Sequence, residues 1–319
     1  MKKLLAFIMV FALMFAVAAC ETETSGGVDS TTAANGGEGT PSGEDGNTDE
    51  NSTDEQLTGP IAVVTREDGS GTRGAFVELF DVRIENAEGK KVDDIRADAN
   101  VQNSTGQVLS AVSGNKQAIS YVSLGSLDDT VKALTINGVQ ATFDNIKNDE
   151  YEVYRPFNIV TDADGVSDAT QEFINFIMSD EGQEVISDGF ISEGSEGPYE
   201  MDTDASGVVK VEGSSSISPI MTKLKEAFEA VNGNVTIEIQ TNDSGTGVSA
   251  TIAGTADIGM VSRDVKEEEL DEGIENTVIC LDGIAVIVNK DNPLNDATIE
   301  QIRAIFQDGG DIEKWEDLS

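Results

Sequence analysis

Four short segments of this 319-residue chain combine serine or threonine hydroxyls with glycine. Residues 66–73 read REDGSGTR, residues 213–216 read GSSS, residues 243–247 read DSGTG, and Ser262 follows the stretch ADIGMV. Hydroxyl groups donate hydrogen bonds, and glycine lets backbone N–H groups approach a ligand closely. Arg66 adds a planar guanidinium group that matches a tetrahedral oxyanion. The four segments together predict an anion-binding site.

The composition excludes several other classes of function. The chain has no histidine, which rules out Ser-His-Asp and Cys-His mechanisms and His-ligated metal sites. It has 20 Lys+Arg against 60 Asp+Glu, a formal net charge of -40, which argues against a nucleic-acid partner. A serine-based hydrolase or phosphotransferase that uses Ser70 or Ser215 is the alternative, and the lack of a histidine base disfavours it. We expect no enzyme activity, no metal and no cofactor.

The stretches around the four segments have the pattern of α/β units. Hydrophobic runs with the length and composition of buried strands lead into the segments, at 61–64, 208–211, 235–239 and 256–261. Helices are expected from about Gly74, over 220–231, and up to Ile252. Unpaired N–H groups and the positive end of the dipole make a helix N-terminus favourable for an anion. The sequence therefore predicts a parallel sheet with the four segments at the carboxyl ends of its strands.

The N-terminal residues predict export and a lipid anchor. Residues 1–20 begin with two lysines, continue with an apolar run that is short for a membrane span, and end in a lipobox at Cys20. We expect a lipoprotein signal peptide with acylation of Cys20; an ordinary signal peptide or a short anchor is the alternative. Residues 21–58 have ten acidic and no basic residues, which predicts a disordered acidic linker before a folded domain at 59–319.

Residues 59–319 resemble the phosphate-binding proteins of phosphate ABC transporters. The segment at 66–73 is similar to that family's Arg-x-Asp-Gly-Ser-Gly-Thr loop, and 213–216 is similar to its Gly-Ser-Thr-Thr loop. The stretch 281–289, LDGIAVIVN, resembles the strand that crosses between the two lobes of the family. The resemblance implies an α/β, two-lobed periplasmic-binding-protein fold of type II. It also implies an extracytoplasmic lipoprotein that captures inorganic phosphate in the interlobe cleft and delivers it to an ABC permease.

The resemblance also implies a set of site residues. Asp68 is expected to pair with Arg66 and hold its guanidinium, Asp243 is a candidate acceptor, and Arg263 is either a second positive group or a surface residue. The residues expected to contact phosphate are Ser214, Ser215, Ser216, Ser244, Ser262, Arg66, Ser70, Gly71 and Thr72.

The order of the segments departs from the order usual in that family, where the Gly-Ser-Thr-Thr segment comes first. Here Arg66 precedes Gly213, which resembles a circular permutation. Residues 59–195, with a final helix at 168–187, correspond to the usual C-terminal half, and 207–319 correspond to the usual N-terminal half. Permutation is tolerated where the original termini lie close together at the surface. A swapped oligomer, in which halves of different chains pair, is the alternative.

The identity of the anion is open at this stage. Hydrogen phosphate carries a proton that sulfate lacks, so a carboxylate acceptor favours phosphate, and many family members have aspartate where Ser262 stands. Asp243 or Asp68 is a candidate for that acceptor. Sulfate, molybdate and arsenate therefore stay as alternatives, as does a phosphate sensor built on the same fold.

Overall fold

The computed structural model describes residues 57–318. The predictions for the signal peptide, for Cys20 and for nearly all of the linker lie outside the described residues.

Strands and helices alternate along most of the described chain. The strands are β1 (Ala62–Arg66), β2 (Arg83–Glu85), β3 (Lys91–Asp93), β4 (Asn100–Gln102), β5 (Ala118–Ser123), β6 (Val131–Ala133), β7 (Thr135–Ile136), β8 (Tyr154–Asp162), β9 (Gly207–Ser214), β10 (Val235–Asn242), β11 (Ile258–Val261), β12 (Ile274–Asn289) and β13 (Asp296–Ala297). The α-helices are α1 (Gly71–Leu79), α2 (Thr105–Ser113), α3 (Phe143–Lys147), α4 (Asp168–Met178), α5 (Asp180–Ser187), α6 (Ser218–Val231), α7 (Ser244–Ile252), α8 (Glu267–Leu270) and α9 (Ile299–Phe306).

The main sheet has the strand order β10-β9-β11-β8-β12-β5-β1-β4, with β6 also paired to β12. The strands at each end of the sheet are parallel. At one end β9 pairs in parallel with β10 and β11, and at the other β1 pairs in parallel with β4 and β5. Its centre is antiparallel, because β8 and β12 run against each other and against their outer neighbours. The prediction of a parallel sheet is therefore right for the strands that carry the four segments and wrong for the centre.

Strand β12 joins the two ends of this sheet. Its first part pairs with β8 up to Gly283, and from Ile284 onward it pairs with β5. Apolar side chains from Ile279 to Val288 are almost continuous along this strand, as expected for a strand buried on both faces. The crossing strand predicted at 281–289 is thus present as part of a longer strand.

The two largest hydrophobic cores lie on either side of this crossing. The first contains Phe76, stacked on Tyr121 with ring centroids 3.9 Å apart, and belongs to what we call the first lobe, residues 57–153 and 284–318. The other contains Phe173 and Phe228 and belongs to the second lobe, residues 155–282. Within the described residues, the chain therefore passes between the lobes at the start of β8 and again along β12.

The helix predicted at 168–187 is two helices, α4 and α5, separated at Ser179. The Ser179 backbone is extended, and the Ser179 hydroxyl donates to Phe176 O at 2.7 Å. The hydroxyl oxygen, Ser179 Oγ, also accepts from Gly182 N at 3.2 Å. Serine ends one helix and caps the next because its side chain replaces the missing backbone partners. In residues 57–318, no helix combines the length and hydrophobicity that a membrane span requires.

Candidate functional site

The four predicted segments meet where the two lobes face each other. One follows β1 in the first lobe, and the others follow β9, β10 and β11 in the second lobe. Three of them lead directly into helices α1, α6 and α7, so their N–H groups and hydroxyls lie at helix N-termini. All nine residues expected to contact phosphate are buried.

Arg66 is the buried cation of this site. It ends β1, with 3% of its side chain exposed, and its Nε and Nη2 donate to both carboxylate oxygens of Glu67 at 2.8 and 2.6 Å. Nη2 also donates to Ser215 Oγ at 3.2 Å, and Nη1 donates to Thr105 Oγ1 at 3.4 Å. The guanidinium is thus held from one side by a bidentate carboxylate and faces hydroxyl groups on the other.

The pairing of Asp68 with Arg66 is wrong. Ser70 N donates to Glu67 O at 3.0 Å, which closes a turn and places Asp68 at its outer corner. The Asp68 side chain is 97% exposed and pairs with Arg73 at 3.1 Å, so Glu67 takes the role expected for Asp68.

Hydroxyl groups of the second lobe form one connected cluster. Ser214 Oγ donates to Ser262 Oγ at 2.8 Å, and Ser262 N donates to Ser244 Oγ at 3.0 Å. Gly213 before this cluster has φ 135°, and a Cβ there would lie 2.5 Å from Met260 O. Only glycine fits at this position of β9, opposite Met260, and it lets β9 lie close beside β11 and brings Ser214 to Ser262.

The first lobe contacts this cluster directly. The hydroxyls of Thr72 and Ser216 lie 2.7 Å apart, and Gly245 N donates to Gly69 O at 3.1 Å. The Cα of Gly71 faces the Ser244 and Ser262 hydroxyls so closely that a Cβ there would overlap them. The structure therefore has the lobes closed on each other, with hydroxyls of both in contact.

The other two supporting residues, Asp243 and Arg263, have partners of their own, and for Arg263 this agrees with the surface alternative. The Asp243 carboxylate caps α7 by accepting from Thr246 N and Thr246 Oγ1, both at 2.8 Å. Arg263 pairs with Glu269 at 2.7 Å and lies beside Gly74, outside the hydroxyl cluster. An aspartate before a helix is common as a cap, so this side chain is already used by the helix.

Sequence reasoning missed Thr105, which begins α2 after its cap Ser104. Its Oγ1 lies 3.3 Å from Ser215 Oγ and 3.4 Å from Ser216 Oγ, in addition to its contact with Arg66. The stretch Asn-Ser-Thr-Gly before an apolar helical pattern resembles the other hydroxyl-rich segments, and this signal was available in the sequence.

Sequence reasoning also missed a buried ion pair below the cluster. Arg155 on β8 and Asp282 on β12 are joined at 3.2 Å, with side chains 2% and 0% exposed. Burial raises the pKa of the Asp282 carboxyl, and the neighbouring Arg155 opposes that rise. The signals were an arginine at the start of β8 and an aspartate just before the apolar run 284–288 of β12.

Two cavities are lined in part by residues of the hydroxyl-rich segments. One of about 380 Å³ is lined by Thr105 and Ser215 together with Leu109, Leu127 and Pro219. The other, of about 410 Å³, includes Gly69 and Ser70, with charged residues of both signs around them. Within residues 57–318, no group of three or more acidic or cysteine side chains is placed to hold a metal ion.

Two lobes joined by crossing strands, with hydroxyl-rich loops buried between them, are the arrangement of a periplasmic-type binding protein. A family model described as the PBP superfamily domain matches residues 48–181 and 200–319. The chain is 46% identical over 270 residues to phosphate-binding protein PstS 2 of Streptococcus agalactiae serotype V, which covers 84% of this chain and 91% of the relative. It is 43% identical over 265 residues to PstS 2 of Streptococcus pneumoniae serotype 4, covering 83% and 89% of the two chains.

The crystal structure of a phosphate-binding protein of a phosphate ABC transporter from Streptococcus pneumoniae TIGR4 superposes with a TM-score of 0.64 at 44% identity. It covers 82% of this chain and 100% of that one. The chain belongs to the PBP superfamily and, within it, to the PstS family of phosphate-binding proteins. The predicted family and the predicted fold class are confirmed.

The long matches also bear on the order of the segments. They compare residues in chain order over most of both proteins, so these relatives share the order found here. The circular permutation relative to other members of the family stays a prediction, as do the halves 59–195 and 207–319.

Proposed function

We propose that this protein captures inorganic phosphate between its lobes and delivers it to the permease of an ABC transporter. The observation that carries the proposal is Arg66, buried and oriented by Glu67, in contact with hydroxyls from loops of both lobes. The names of the two PstS 2 relatives support phosphate as the anion. Charge-assisted hydrogen bonds stabilise a bound anion by about 1.5–3 kcal/mol each, which offsets the cost of desolvating it.

Each lobe supplies part of the donor set. Arg66, Ser70, Gly71 and Thr72 come from the first lobe, and the serines of the other segments come from the second. A ligand that needs both sets stabilises the closed arrangement over the open one by its differential affinity. Phosphate binding should therefore draw the lobes together about the two crossing segments.

The local lining must overcome an unfavourable overall field. Residues 59–319 have a formal charge of -32, since ten acids and two lysines precede them. Exposed charges are largely screened beyond about 8 Å at physiological ionic strength, whereas buried groups are screened much less. Affinity for a dianion is therefore expected to depend on Arg66 and the hydroxyls rather than on net charge.

Discrimination between phosphate and sulfate falls to acceptors within the cluster. The Asp68 carboxylate faces solvent and pairs with Arg73, so it is not placed to accept the phosphate proton. The Asp243 carboxylate already accepts two hydrogen bonds as the cap of α7. Hydroxyl oxygens accept as well as donate, and Ser262, with its neighbours Ser214 and Ser244, is the group that we assign to the proton of hydrogen phosphate.

The expected location follows from this role. An importer's binding protein works outside the cytoplasm, and a lipid anchor at Cys20 would hold it beside the permease in the membrane. We include both in the proposal, together with the absence of enzyme activity.

A thermal-unfolding panel tests the proposal. A ligand at 100 times its Kd stabilises the native state by about 2.7 kcal/mol, so phosphate should raise Tm clearly. Sulfate and molybdate at equal concentration should leave Tm almost unchanged. A larger rise with sulfate or molybdate would assign the site to that anion. Turnover of a chromogenic phosphoester by the same sample would favour the hydrolase alternative.

A further inference from the structure

We propose that the buried Arg155–Asp282 ion pair is a positioning element of the phosphate site. It fixes Ser262 in the second lobe relative to the turn Leu124–Ser126 in the first lobe, and so sets the geometry of the closed cleft. The inference rests on the proposed function, because its consequence is measured as phosphate affinity.

The pair lies where the chain passes between the lobes. Arg155 is the second residue of β8, Asp282 lies on β12, and the two residues are register partners across these antiparallel strands. Arg155 Nη2 and Nε both donate to Asp282 Oδ2, at 3.2 and 3.4 Å. The pair therefore joins the two segments along which the chain passes between the lobes.

The Arg155 end of the pair reaches the site. Its Nη1 donates to Ser262 O at 2.8 Å. The backbone N–H and hydroxyl of Ser262 are engaged by Ser244 and Ser214, so the carbonyl contact completes the fixing of this residue. A shift of Arg155 would move Ser262 within the hydroxyl cluster.

The Asp282 end of the pair reaches the first lobe. Its Oδ1 accepts from Ser123 Oγ at 2.9 Å and from Gly125 N at 3.2 Å. Gly125 and the residues beside it line the 380 Å³ cavity that borders Ser215 and Thr105. One continuous chain of hydrogen bonds thus runs from this wall of the cleft, through both charges, to Ser262.

Stability alone is a weak reason for such a pair. Desolvation of two buried charges generally cancels their attraction, and an apolar pair of similar volume is often as stable or more stable. Burial and the repulsion from the nearby Arg66 both disfavour the charged form of Arg155 and lower the pKa of its guanidinium. A bound anion would offset this repulsion between the two guanidinium groups.

A double replacement separates positioning from stability. Arg155→Met and Asp282→Leu singly leave one buried charge unpaired, so each should lower both Tm and phosphate affinity. The combined R155M/D282L variant leaves no buried charge unpaired and should regain much of the Tm that the single variants lose, while its calorimetric Kd for phosphate stays at least about tenfold higher. Arg96→Met, which breaks the ion pair with Asp98 away from the site, is the control and should keep the Kd unchanged.

A double variant that binds phosphate as tightly as the unaltered protein would overturn the inference and leave the pair a structural one. If the double variant fails to unfold cooperatively, Ser123→Ala decides, because it keeps both charges and removes only one bond to Asp282. It should weaken phosphate binding about threefold or more with little change in Tm, and an unchanged Kd would refute the proposal. Absence of phosphate binding by the unaltered protein would instead refute the proposed function.

Discussion

Arg66 Nη2 donates to Ser215 Oγ over 3.2 Å, although 149 positions separate the two residues in the chain. Arg66 ends a strand of the first lobe and Ser215 follows a strand of the second, so this bond exists only in the closed protein. The guanidinium that would bind the anion therefore also forms a contact that requires the lobes to be closed. Binding and closure are expected to be one event rather than two.

Thr105→Val should weaken phosphate binding by about tenfold, because it removes the hydroxyl that contacts Arg66, Ser215 and Ser216. Thr105→Ser keeps the hydroxyl and should stay close to the unaltered protein. Isothermal titration of the two variants measures the difference. Equal Kd values for both would mean that Thr105 only packs.

Replacing the neighbouring acids Glu67 and Asp68 should have different effects on phosphate affinity. Glu67→Ala frees the Arg66 fork and should weaken phosphate binding by about tenfold or more, because a preorganised guanidinium loses less freedom on binding. Asp68→Ala removes an exposed side chain and should change the Kd by less than about twofold. A larger effect at Asp68 than at Glu67 in equilibrium titrations would restore the original expectation from the sequence.

Gly71→Ala should abolish closure while leaving each lobe folded. The added Cβ would overlap Ser244 Oγ and lie 2.6 Å from Ser262 Oγ, at the place where the lobes touch. We expect a loss of phosphate affinity of about 100-fold and a larger radius of gyration in small-angle scattering with phosphate present. Gly233→Ala, where nothing lies within 4 Å of the new methyl group, is the matched control. Tight binding by Gly71→Ala would show that the lobes need not approach this closely.

Cys280 reports on opening of the second core. Burial raises its thiol pKa well above the ordinary 9.0, so the native state holds the proton more tightly than the unfolded state. The corresponding stability is fully present below pH 9.0 and is lost as pH rises above it. In a Cys20→Ser variant at pH 8, a thiol reagent should label Cys280 only through unfolding, and saturating phosphate should slow that labelling. Rapid labelling that phosphate does not slow would contradict the burial of this residue.

The four loops could be predicted from the sequence, whereas the centre of the sheet could not. Loop chemistry is local, so Ser70, Ser214, Ser244 and Ser262 were found from glycine and hydroxyl patterns next to apolar runs. The antiparallel β8 and β12 depend on pairing between residues more than 100 positions apart, which no local pattern encodes.

The directions in which side chains point could not be predicted from the sequence either. Glu67 and Asp68 are adjacent acids, and which of them faces Arg66 depends on the turn that Ser70 closes. The break at Ser179 follows from a capping hydroxyl inside a stretch that hydrophobic periodicity joins into one helix.

The most direct test of the whole account is calorimetric titration of phosphate into the unaltered protein and into Arg66→Ala. We expect one phosphate per chain, with a Kd at least about 100-fold weaker in the variant, because Arg66 is the cation that contacts hydroxyls of both lobes. Arg303→Ala, on the surface of α9, should titrate like the unaltered protein. Unchanged phosphate affinity in Arg66→Ala, or no heat of binding in a well-folded unaltered protein, would contradict the account.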